Sequence, residues 1–412
     1  MDGTGAPLKC LSGVKVLDLT QFEAGPSCTE ALAWLGAEVV KVENPQAGEP
    51  GRSNFPGRSG ADSYYFFEFN ANKKSVTVDL KSERGLALVK DMAKKADVMI
   101  ENMAPGPIER LGLGYDVIRA LNPGIIYAQV KGFGEGSPYE RNLAFDMIAQ
   151  ACGGTMSVTG EPGREPCKPG ATIGDTGTGM LMAISVLGAL YEKKATGKGC
   201  RLQLAMQDAV MHYIRTSFAV MNQQGNKKAA PRMGAQSTSG APAPCGIYPC
   251  KPFGYNDYVY VFCSRANPEH WTRLLKVIGR EELIEDPRFA TNEERNKNED
   301  FINEIIAEWT KSHTKEEAMQ IIGAAGVPAG AVHDTLELQN DESFQKRGIM
   351  QTMHHPDGDW VCEAWPVRFN GKPPELLPSP KLGQHTEEVF ASWLKMSNGD
   401  IEKLRAEKVL GK

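Results

Sequence analysis

One aspartate in this sequence has surroundings that could support covalent chemistry. Asp175 lies in the stretch ATIGDTGTGM, among glycines and small hydroxyl residues and just before a long apolar run. An aspartate before a helix commonly caps it, because a side-chain oxygen accepts a free backbone N–H there. A carboxylate can also act as a nucleophile that forms an acyl intermediate. The spacing of the residues alone favours the capping role over the nucleophilic role for Asp175.

The glycines around this aspartate favour the second interpretation. Residues without a side chain at 174, 177 and 179 would let a bulky ligand approach the backbone closely. Their amides could also stabilise a developing oxyanion. Both roles therefore stay open for Asp175.

Histidines and cysteines give no comparable pattern. His354 and His355 open the stretch HHPDGD, where a turn is expected, because adjacent side chains on a strand point to opposite faces. The nine cysteines are scattered, and the nearest pair, Cys245 and Cys250, has no second pair at zinc spacing. We expect reduced thiols and no metal. Cys28 lacks a basic neighbour in sequence, so no catalytic role is expected for it.

The composition indicates a globular protein of two or three domains. The chain has 412 residues, of which 41% are hydrophobic and 24% are charged, enough to build a core. The net charge of -5 argues against a general nucleic-acid binder. We expect no signal peptide, because the N-terminus MDGTGAPLKC lacks a basic region followed by an apolar run. We expect no membrane span, because no apolar stretch reaches roughly 18 residues. The predicted location is cytoplasmic.

Strands and helices alternate along the first part of the chain. Hydrophobic runs predict strands at 14–19, 39–42, 75–80, 97–100 and 124–130, separated by helices at 27–35, 83–95 and 117–121. This alternation predicts an open parallel α/β sheet. The loop after the first strand, TQFEAGP, lacks G-x-G-x-x-G, so NAD or FAD binding in the usual mode is not expected.

The second part of the chain predicts a smaller unit. Helices are expected at 179–191 and 202–219, before a linker-like stretch at 222–249 that is rich in Gln, Ser, Gly, Ala and Pro. A strand at 258–263 and helices at 271–278, 299–309 and 315–325 then follow. A proline-rich segment at 373–380 precedes a last helix at 386–393.

Long motifs in a fixed order resemble a known enzyme family. They are LSGVKVLDLTQFEAGPSCTEALAWLGAEVVKVENP, FNANKKSVTVDLK, ADVMIENMAPGPIERLGLGY, LNPGIIYAQVKGFGEGSPY, IGDTGTGM, TGKGCRLQLAMQDAV, GVPAGAV and LGQHTEEV. These motifs extend over nearly the whole chain. On them, the sequence is identified as a member of the class III CoA-transferases, also called the CaiB/BaiF family.

The resemblance implies an architecture. Family members have a large Rossmann-like parallel-sheet domain built from both chain ends and a smaller α/β domain. In this numbering the large domain would comprise 1–221 and 331–412, and the smaller domain with its linker 222–330. Two chains would interlock as a homodimer, with which the segments at 222–249 and 373–380 are compatible.

The resemblance also implies a mechanism. The family nucleophile is an aspartate in the GD-x-x-x-G context, which falls on Asp175. It would attack an acyl-CoA donor, form a mixed anhydride and then an aspartyl-CoA thioester, and pass CoA to a small carboxylic acid. The CoA thioester is a substrate, and no tightly bound cofactor or metal is implied.

Further positions match family segments that line the CoA substrate, and one of them, Arg110, is suited to the CoA phosphates. The matched residues are Glu23, Ala24, Asn44, Val78, Asp79, Leu80, Lys81, Asn102, Met103, Ala104, Arg110, Leu143 and Phe145.

Several of these positions depart from the family members that use formyl-CoA and oxalate, to which the similarity is greatest. Glu23 stands where those enzymes have glutamine, Asn44 replaces an arginine, and Leu143 replaces a lysine. Residues 51–55 lack their tryptophan, and 236–243 lack their run of glycines. A carboxylate at Glu23 should repel a dianionic acceptor, which favours monocarboxylates or acids with a neutral or cationic group.

The substrates and two other functions therefore stay open. The acids could be formyl-CoA and oxalate, or a succinyl-CoA or acetyl-CoA donor with a carnitine-like or hydroxy-acid acceptor. Racemases of the same family pair the aspartate with a histidine, which the stretch 142–146 lacks, so racemisation is not expected. A CoA-binding protein without catalysis is the remaining alternative.

Overall fold

The chain folds into α/β units whose elements largely follow the hydrophobic pattern. The computed structural model describes residues 9–55, 62–237 and 240–411. Its strands are β1 (Lys15–Leu19), β2 (Glu38–Glu43), β3 (Lys74–Thr77), β4 (Val98–Glu101), β5 (Ile126–Lys131), β6 (Cys200–Ala205), β7 (Cys245–Pro249), β8 (Tyr258–Phe262), β9 (Ala329–Ala331), β10 (Met350–Met353) and β11 (Trp360–Glu363). Its α-helices are α1 (Ala24–Trp34), α2 (Tyr64–Phe69), α3 (Glu83–Ala93), α4 (Pro107–Arg110), α5 (Tyr115–Leu121), α6 (Asp146–Cys152), α7 (Thr155–Val158), α8 (Thr176–Thr196), α9 (Met206–Tyr213), α10 (Arg215–Gln223), α11 (Glu269–Val277), α12 (Asn292–Lys297), α13 (Glu299–Thr310), α14 (Lys315–Ala324), α15 (Thr335–Asn340), α16 (Glu342–Lys346), α17 (Thr386–Leu394) and α18 (Asn398–Ala406).

Six strands form one parallel sheet in the order β3-β2-β1-β4-β5-β6. The predicted open parallel α/β sheet is therefore confirmed. The winding direction of the chain reverses between β1 and β4. In sheets of this kind a crevice forms at that point, outside the carboxyl ends of the strands.

Both faces of this sheet are covered by helices. Successive side chains of a strand point to opposite faces, so Val16 and Val39 pack with α1 and α8, whereas Leu17 and Val40 pack with α3, α17 and α18. The strands accordingly read as continuous apolar runs, as expected when both faces are buried.

The end of the chain belongs to the same core as its beginning. The indole N–H of Trp393 in α17 donates to Glu38 of β2 at 3.1 Å, and the amide of His385 donates to the carbonyl of Ser75 at 2.9 Å. Two compact units result, one of residues 1–155, 169–213 and 341–412 and the other of 156–168 and 214–340. The domain boundaries inferred from the family resemblance stay a prediction.

The second unit has an antiparallel sheet in the order β7-β8-β9. Its core consists of residues from β7 and β8 together with α11, α13 and α14. Separately, β10 and β11 form a hairpin in the first unit. His354 and His355 lie between the strands of that hairpin, and the His355 ring packs 4.4 Å from the ring of Phe67.

Two further observations concern the described residues alone. Within 9–55, 62–237 and 240–411, no group of three histidine, cysteine, aspartate or glutamate side chains is placed to hold a metal ion. Over the same ranges, no helix combines the length and apolarity needed to cross a membrane.

The single helix predicted at 202–219 is wrong. The chain instead forms strand β6, then helices α9 and α10. Leu202 and Leu204 alternate with Arg201 and Gln203, which is the period of a strand. Pairing of β6 with β5 along six residues fixes this strand at the sheet edge, whereas a sequence window cannot reveal the partner strand.

Helices α1 and α8 cross at very short range, because Gly179 of α8 lies against the backbone of α1. A methyl group at this glycine would come within 2.6 Å of the Ala24 carbonyl oxygen and 2.7 Å of the Ser27 Cβ. No flexible side chain can move aside to make room for it. This contact sets the distance between the two helix starts.

We expect Gly179→Ala to separate α1 from α8 and to destabilise the protein by about 1–3 kcal/mol through overpacking. Gly188→Ala is the matched control, because it lies in the same helix with nothing within 4 Å of the added methyl group. It should stabilise by about 0.5–1 kcal/mol through helix propensity alone. Urea unfolding of both variants gives the comparison, and equal stability would contradict the packing argument.

Candidate active site

A cavity of about 160 Å³ opens at the point where the winding of the parallel sheet reverses. Its walls come from the loops after β1 and β4, the end of β5, the segment before α6 and the start of α8. The lining residues are Gln21, Phe22, Glu23, Ala24, Asn102, Met103, Ala104, Pro105, Val130, Lys131, Gly132, Asn142, Leu143, Ala144, Phe145, Asp175 and Met206.

Asp175 occupies the N-cap position of α8, but its side chain makes no capping hydrogen bond. The first intrahelical bond runs from the Gly179 amide to the Asp175 carbonyl at 2.9 Å. The carboxylate instead lines the cavity. Asp175 thus occupies the capping position of α8, but its carboxyl group makes no capping bond and is accessible from the cavity.

The loop before Asp175 is fixed by a buried carboxylate. Asp146 accepts the amide of Gly174 at 2.9 Å and two hydrogen bonds from the Gln150 side chain, at 2.9 and 2.7 Å. Gln150 also donates to the carbonyl of Ala171 at 3.1 Å. On the other side, the Thr178 hydroxyl donates to the Gly174 carbonyl at 2.5 Å. Asp175 is therefore held by backbone bonds that leave its side chain unused.

The glycines in this loop serve a different purpose from the one expected. A Cβ at Gly174 would lie 2.7 Å from the Asp146 carbonyl oxygen, and one at Gly179 would meet α1. The Gly174 amide donates to Asp146, and the Gly179 amide donates within α8. These two glycines permit close packing of the protein itself, so their amides are not oxyanion donors.

Glu23 is the second acidic residue of the cavity and is also an N-cap without a capping bond, at the start of α1. Its side chain is only 4% exposed. The hydroxyl of Thr176, the residue after the candidate nucleophile, donates to its Oε1 at 2.8 Å, and the Tyr65 hydroxyl donates to its Oε2 at 3.4 Å. Two helix starts thus direct two carboxylates to one cavity.

The electrostatic setting makes both carboxylates harder to ionise. Burial, followed by the nearby charges of Glu23 and Asp146, raises the pKa of Asp175 to about 8 from its ordinary 3.8. Burial also raises the pKa of Glu23, against the hydrogen bonds that it receives from Thr172 and Thr176. The partial positive charges of the two helix starts act in the opposite sense and favour anions here.

Lys131, at the end of β5, is the cation among the described residues that line this cavity. Its Nζ lies 2.7 Å from Oε1 of the buried Glu101 and donates to the Met103 carbonyl at 2.8 Å. Lys131 is not among the site residues predicted from the sequence, although its place just after the predicted strand at 124–130 could have indicated it. Phe22 and Met206 are not among them either, and the sequence carries no signal for these two.

Most of the residues matched by the resemblance come together in this cavity. These are Glu23, Ala24, Asn102, Met103, Ala104, Leu143 and Phe145, which surround Asp175. Asn102 fixes the loop after β1, since its side chain accepts the Gln21 amide at 2.9 Å and donates to the Gln21 carbonyl at 2.8 Å.

Arg110 lines a neighbouring larger cavity of about 650 Å³, which shares Pro105 and Lys131 with the first. Its guanidinium lies over Gly106, where any side chain would collide with it. Arg141 and Arg201 line the same space. Four acidic residues line it as well, and one of them, Glu135, lies 3.4 Å from Arg201, so the cavity has a mixed charge.

The remaining matched residues follow β2 and β3 at the same sheet edge and do not line either cavity. They are Asn44, Val78, Asp79, Leu80 and Lys81. The amide of Asp79 donates to the Val409 carbonyl at 2.8 Å, and that of Lys81 donates to the Asp79 side chain at 2.9 Å. Contact of this segment with CoA stays a prediction.

The candidate nucleophile has no histidine or reactive thiol beside it to transfer a proton. No histidine lines the cavity among the described residues. Cys28 in α1 is fully buried, and burial raises the pKa of its thiol well above the usual range. Once Asp175 has lost its proton, attack on an acyl carbon needs neither group, because the ionised carboxylate supplies the negative charge.

Comparisons with known proteins identify the family of this chain. The family model described as "CoA-transferase family III" matches residues 11–386. Formyl-CoA:oxalate CoA-transferase of Streptomyces coelicolor is 37% identical over 98% of this chain and 99% of its own length. The enzyme of the same name from Bradyrhizobium sp. is 35% identical over 96% of both chains.

Solved structures give the same result. A CaiB/BaiF family protein from Brucella suis superposes with a TM-score of 0.80 at 32% identity, covering 93% of this chain and 99% of its own. A hypothetical protein from Mycobacterium tuberculosis reaches 0.78 at 29% identity over the same shares. The doubly wound parallel sheet is thus that of a CaiB/BaiF family protein. More specifically, the chain belongs to CoA-transferase family III and is a CoA-transferase that uses CoA thioesters.

We expect Asp175→Asn to raise the melting temperature by an amount that depends on pH. Between about pH 4 and pH 8 the folded protein keeps a proton on Asp175 that the unfolded chain has lost, so wild-type stability falls as the pH rises through this range. The asparagine side chain does not titrate in this range. The increase in melting temperature caused by Asp175→Asn should therefore grow up to pH 8 and stay constant above it.

Thermal unfolding at intervals from pH 4 to pH 9 measures this effect. Asp116→Asn is the matched control, because Asp116 is exposed in the first turn of α5. A gain from Asp175→Asn that does not vary with pH would contradict the raised pKa of this carboxyl.

Proposed function

We propose that this CoA-transferase moves CoA from an acyl-CoA donor to a small carboxylic acid through covalent intermediates on Asp175. The observation that carries the proposal is a carboxylate at a helix start that makes no capping bond and lines the cavity. Asp175 lies at the start of α8 and near the start of α1. The partial positive charges of both helix starts would stabilise the ionised carboxylate and the negative charge that develops when it attacks an acyl group.

Each step exchanges one acyl bond for another. An Asp175 oxygen attacks the donor carbonyl carbon, the C–S bond breaks, and CoA thiolate leaves with the electron pair, which gives a mixed anhydride. The thiolate attacks the aspartyl carbonyl, releases the donor acid as a carboxylate and leaves an aspartyl-CoA thioester. The acceptor carboxylate then attacks this thioester, and the two steps run in reverse. No net proton transfer is required.

We expect Asp175→Asn and Asp175→Ala to lower transfer on the order of 10³-fold or more, because no other group replaces the nucleophile. Wild-type protein incubated with an acyl-CoA should yield a hydroxylamine-sensitive adduct on the peptide that contains Asp175, detected by mass spectrometry. Retained turnover in Asp175→Ala would refute the mechanism, and bound but unreacted CoA ester in the wild type would favour a binding protein.

Formyl-CoA and oxalate are the first pair to test, because relatives at 34–37% identity carry that name. A second candidate is a different acid pair, such as a succinyl-CoA or acetyl-CoA donor with a carnitine-like or hydroxy-acid acceptor. Glu23, a buried carboxylate in the same cavity as Asp175, favours the acetyl-CoA and carnitine-like members of this second candidate, because a succinyl group would bring a second carboxylate.

The CoA phosphates are proposed to lie in the larger cavity, within reach of Arg110. A charge-assisted hydrogen bond of this kind contributes about 1.5–3 kcal/mol. We expect Arg110→Met to raise KM for the CoA thioester about tenfold or more with little change in kcat. Arg119→Met is the control, since Arg119 is exposed on α5 and lines neither cavity. An unchanged KM in Arg110→Met would place the phosphates elsewhere.

The family resemblance supplies the rest of the proposal. The protein would act in the cytoplasm as an interlocked homodimer, with a large domain of 1–221 and 331–412 and a smaller domain within 222–330. CoA would enter and leave as a substrate, with no cofactor held between turnovers. Of the stretch 236–243, whose family counterpart covers the intermediate, residues 238 and 239 lie outside the described residues.

A further inference from the structure

The acyl site contains two carboxylates held side by side. Glu23 is 4% exposed and accepts the hydroxyl of Thr176 at 2.8 Å, and Thr176 directly follows Asp175 in the chain. Tyr65 donates to the other oxygen of Glu23 at 3.4 Å. These two hydrogen bonds hold the Glu23 side chain in the cavity wall close to the proposed nucleophile.

Glu23 is not needed in this place to start its own helix. Its side chain makes no capping hydrogen bond to α1. The first turn begins with a backbone bond, from the Ser27 amide to the Glu23 carbonyl at 2.8 Å. Because α1 does not use the carboxylate, its burial in the cavity wall needs another explanation.

The charges in the cavity wall do not balance that carboxylate. Among the described lining residues, those with a formal charge are Glu23, Asp175 and Lys131. The lysine Nζ lies 2.7 Å from Glu101, which is fully buried, so its charge is already compensated. The amide group of Asn102 is likewise engaged with the Gln21 backbone. A second carboxylate on a substrate would find no free cation in this wall.

Much of the remaining wall is apolar. The rings of Phe22 and Phe145 meet edge to face, with centroids 5.7 Å apart. Met103, Leu143 and Met206 complete this surface, and Leu143 is 69% exposed toward solvent. Such a surface favours a hydrocarbon chain and disfavours a charged group, which would lose its hydration without a partner.

We propose that Glu23 is a specificity-determining residue that selects monocarboxylic acids with an apolar or neutral remainder and rejects acids with a second carboxylate. This inference rests on the proposed function and narrows its substrate class to the second candidate, so that oxalate, a dicarboxylate, is expected to be a poor acceptor. An ionised Glu23 repels the second carboxylate directly, and taking up a proton to relieve that repulsion costs free energy. The ionised form of Glu23 therefore disfavours the dianion relative to the monoanion.

Turnover of chain-matched acids tests the proposal. With acetyl-CoA as donor, the acceptors are propionate against malonate and butyrate against succinate, and new acyl-CoA is measured by mass spectrometry. Wild-type kcat/KM should favour the monocarboxylate of each pair roughly tenfold or more. Glu23→Gln keeps the acceptor for Thr176 and should reduce that ratio about tenfold.

Two controls separate charge from structure. Glu23→Asp keeps the charge and should keep the preference for monocarboxylates. Glu30→Gln removes a carboxyl from the same helix but outside the cavity, where Glu30 accepts the Ala71 amide at 3.0 Å, and should leave the ratio unchanged. A wild type that prefers the dicarboxylates, or a ratio unaltered in Glu23→Gln, would overturn the proposal.

A binding measurement separates failure of this inference from failure of the proposed function. In the Asp175→Asn background, which removes the nucleophile, calorimetry should show tighter binding of butyryl-CoA than of succinyl-CoA. Adding Glu23→Gln should reduce that difference. If no acid is turned over but butyryl-CoA still binds more tightly than succinyl-CoA, the result refutes the transfer mechanism and supports the role of Glu23. Equal binding of the two esters would refute the role of Glu23 itself.

Discussion

The close crossing of α1 and α8 is the contact on which the active site depends. Gly179 lets the two helices approach until a methyl group could not fit between them. Their N-termini consequently meet outside the carboxyl ends of β1 and β4, where a doubly wound sheet leaves a crevice. Each helix begins with an acidic residue, Glu23 or Asp175, that lines the cavity instead of capping its helix. A packing constraint in the core thereby decides which two side chains share the site.

Two buried lysines and a buried aspartate hold the loop that carries Glu23. Lys41 donates to the Thr20 carbonyl at 2.8 Å, and Lys73 donates to the Pro26 carbonyl at 3.0 Å. Both ammonium groups lie within 4 Å of Asp18, at 3.9 and 3.6 Å. Burial alone would raise the pKa of Asp18, but the two lysines and two hydroxyl hydrogen bonds hold it below its ordinary value. Removing one partner from such a buried group leaves an uncompensated charge, so the cluster fixes the loop firmly.

The site combines opposing requirements. A nucleophilic carboxylate must ionise, yet burial and two neighbouring carboxylates raise the pKa of Asp175 to about 8. The same low polarity makes an ionised Asp175 a stronger nucleophile, because it would have less water to lose before attack. The partial positive charges of the two helix starts offset part of the negative charge.

The sequence alone determined the parallel sheet, the family and the candidate nucleophile, since apolar periodicity and contiguous motifs are local properties of the chain. The sequence could not decide whether the Asp175 side chain caps α8, because an aspartate before a helix is expected in either case, whether it caps the helix or lines a cavity. It placed a helix at 202–219 where pairing with β5 imposes a strand over Cys200–Ala205. Only the tertiary structure brought Glu23 to Thr176 across 153 positions of sequence and compensated Lys131 with Glu101. These pairings depend on strand order and helix crossing, and the energies that fix them come from contacts between segments distant in sequence.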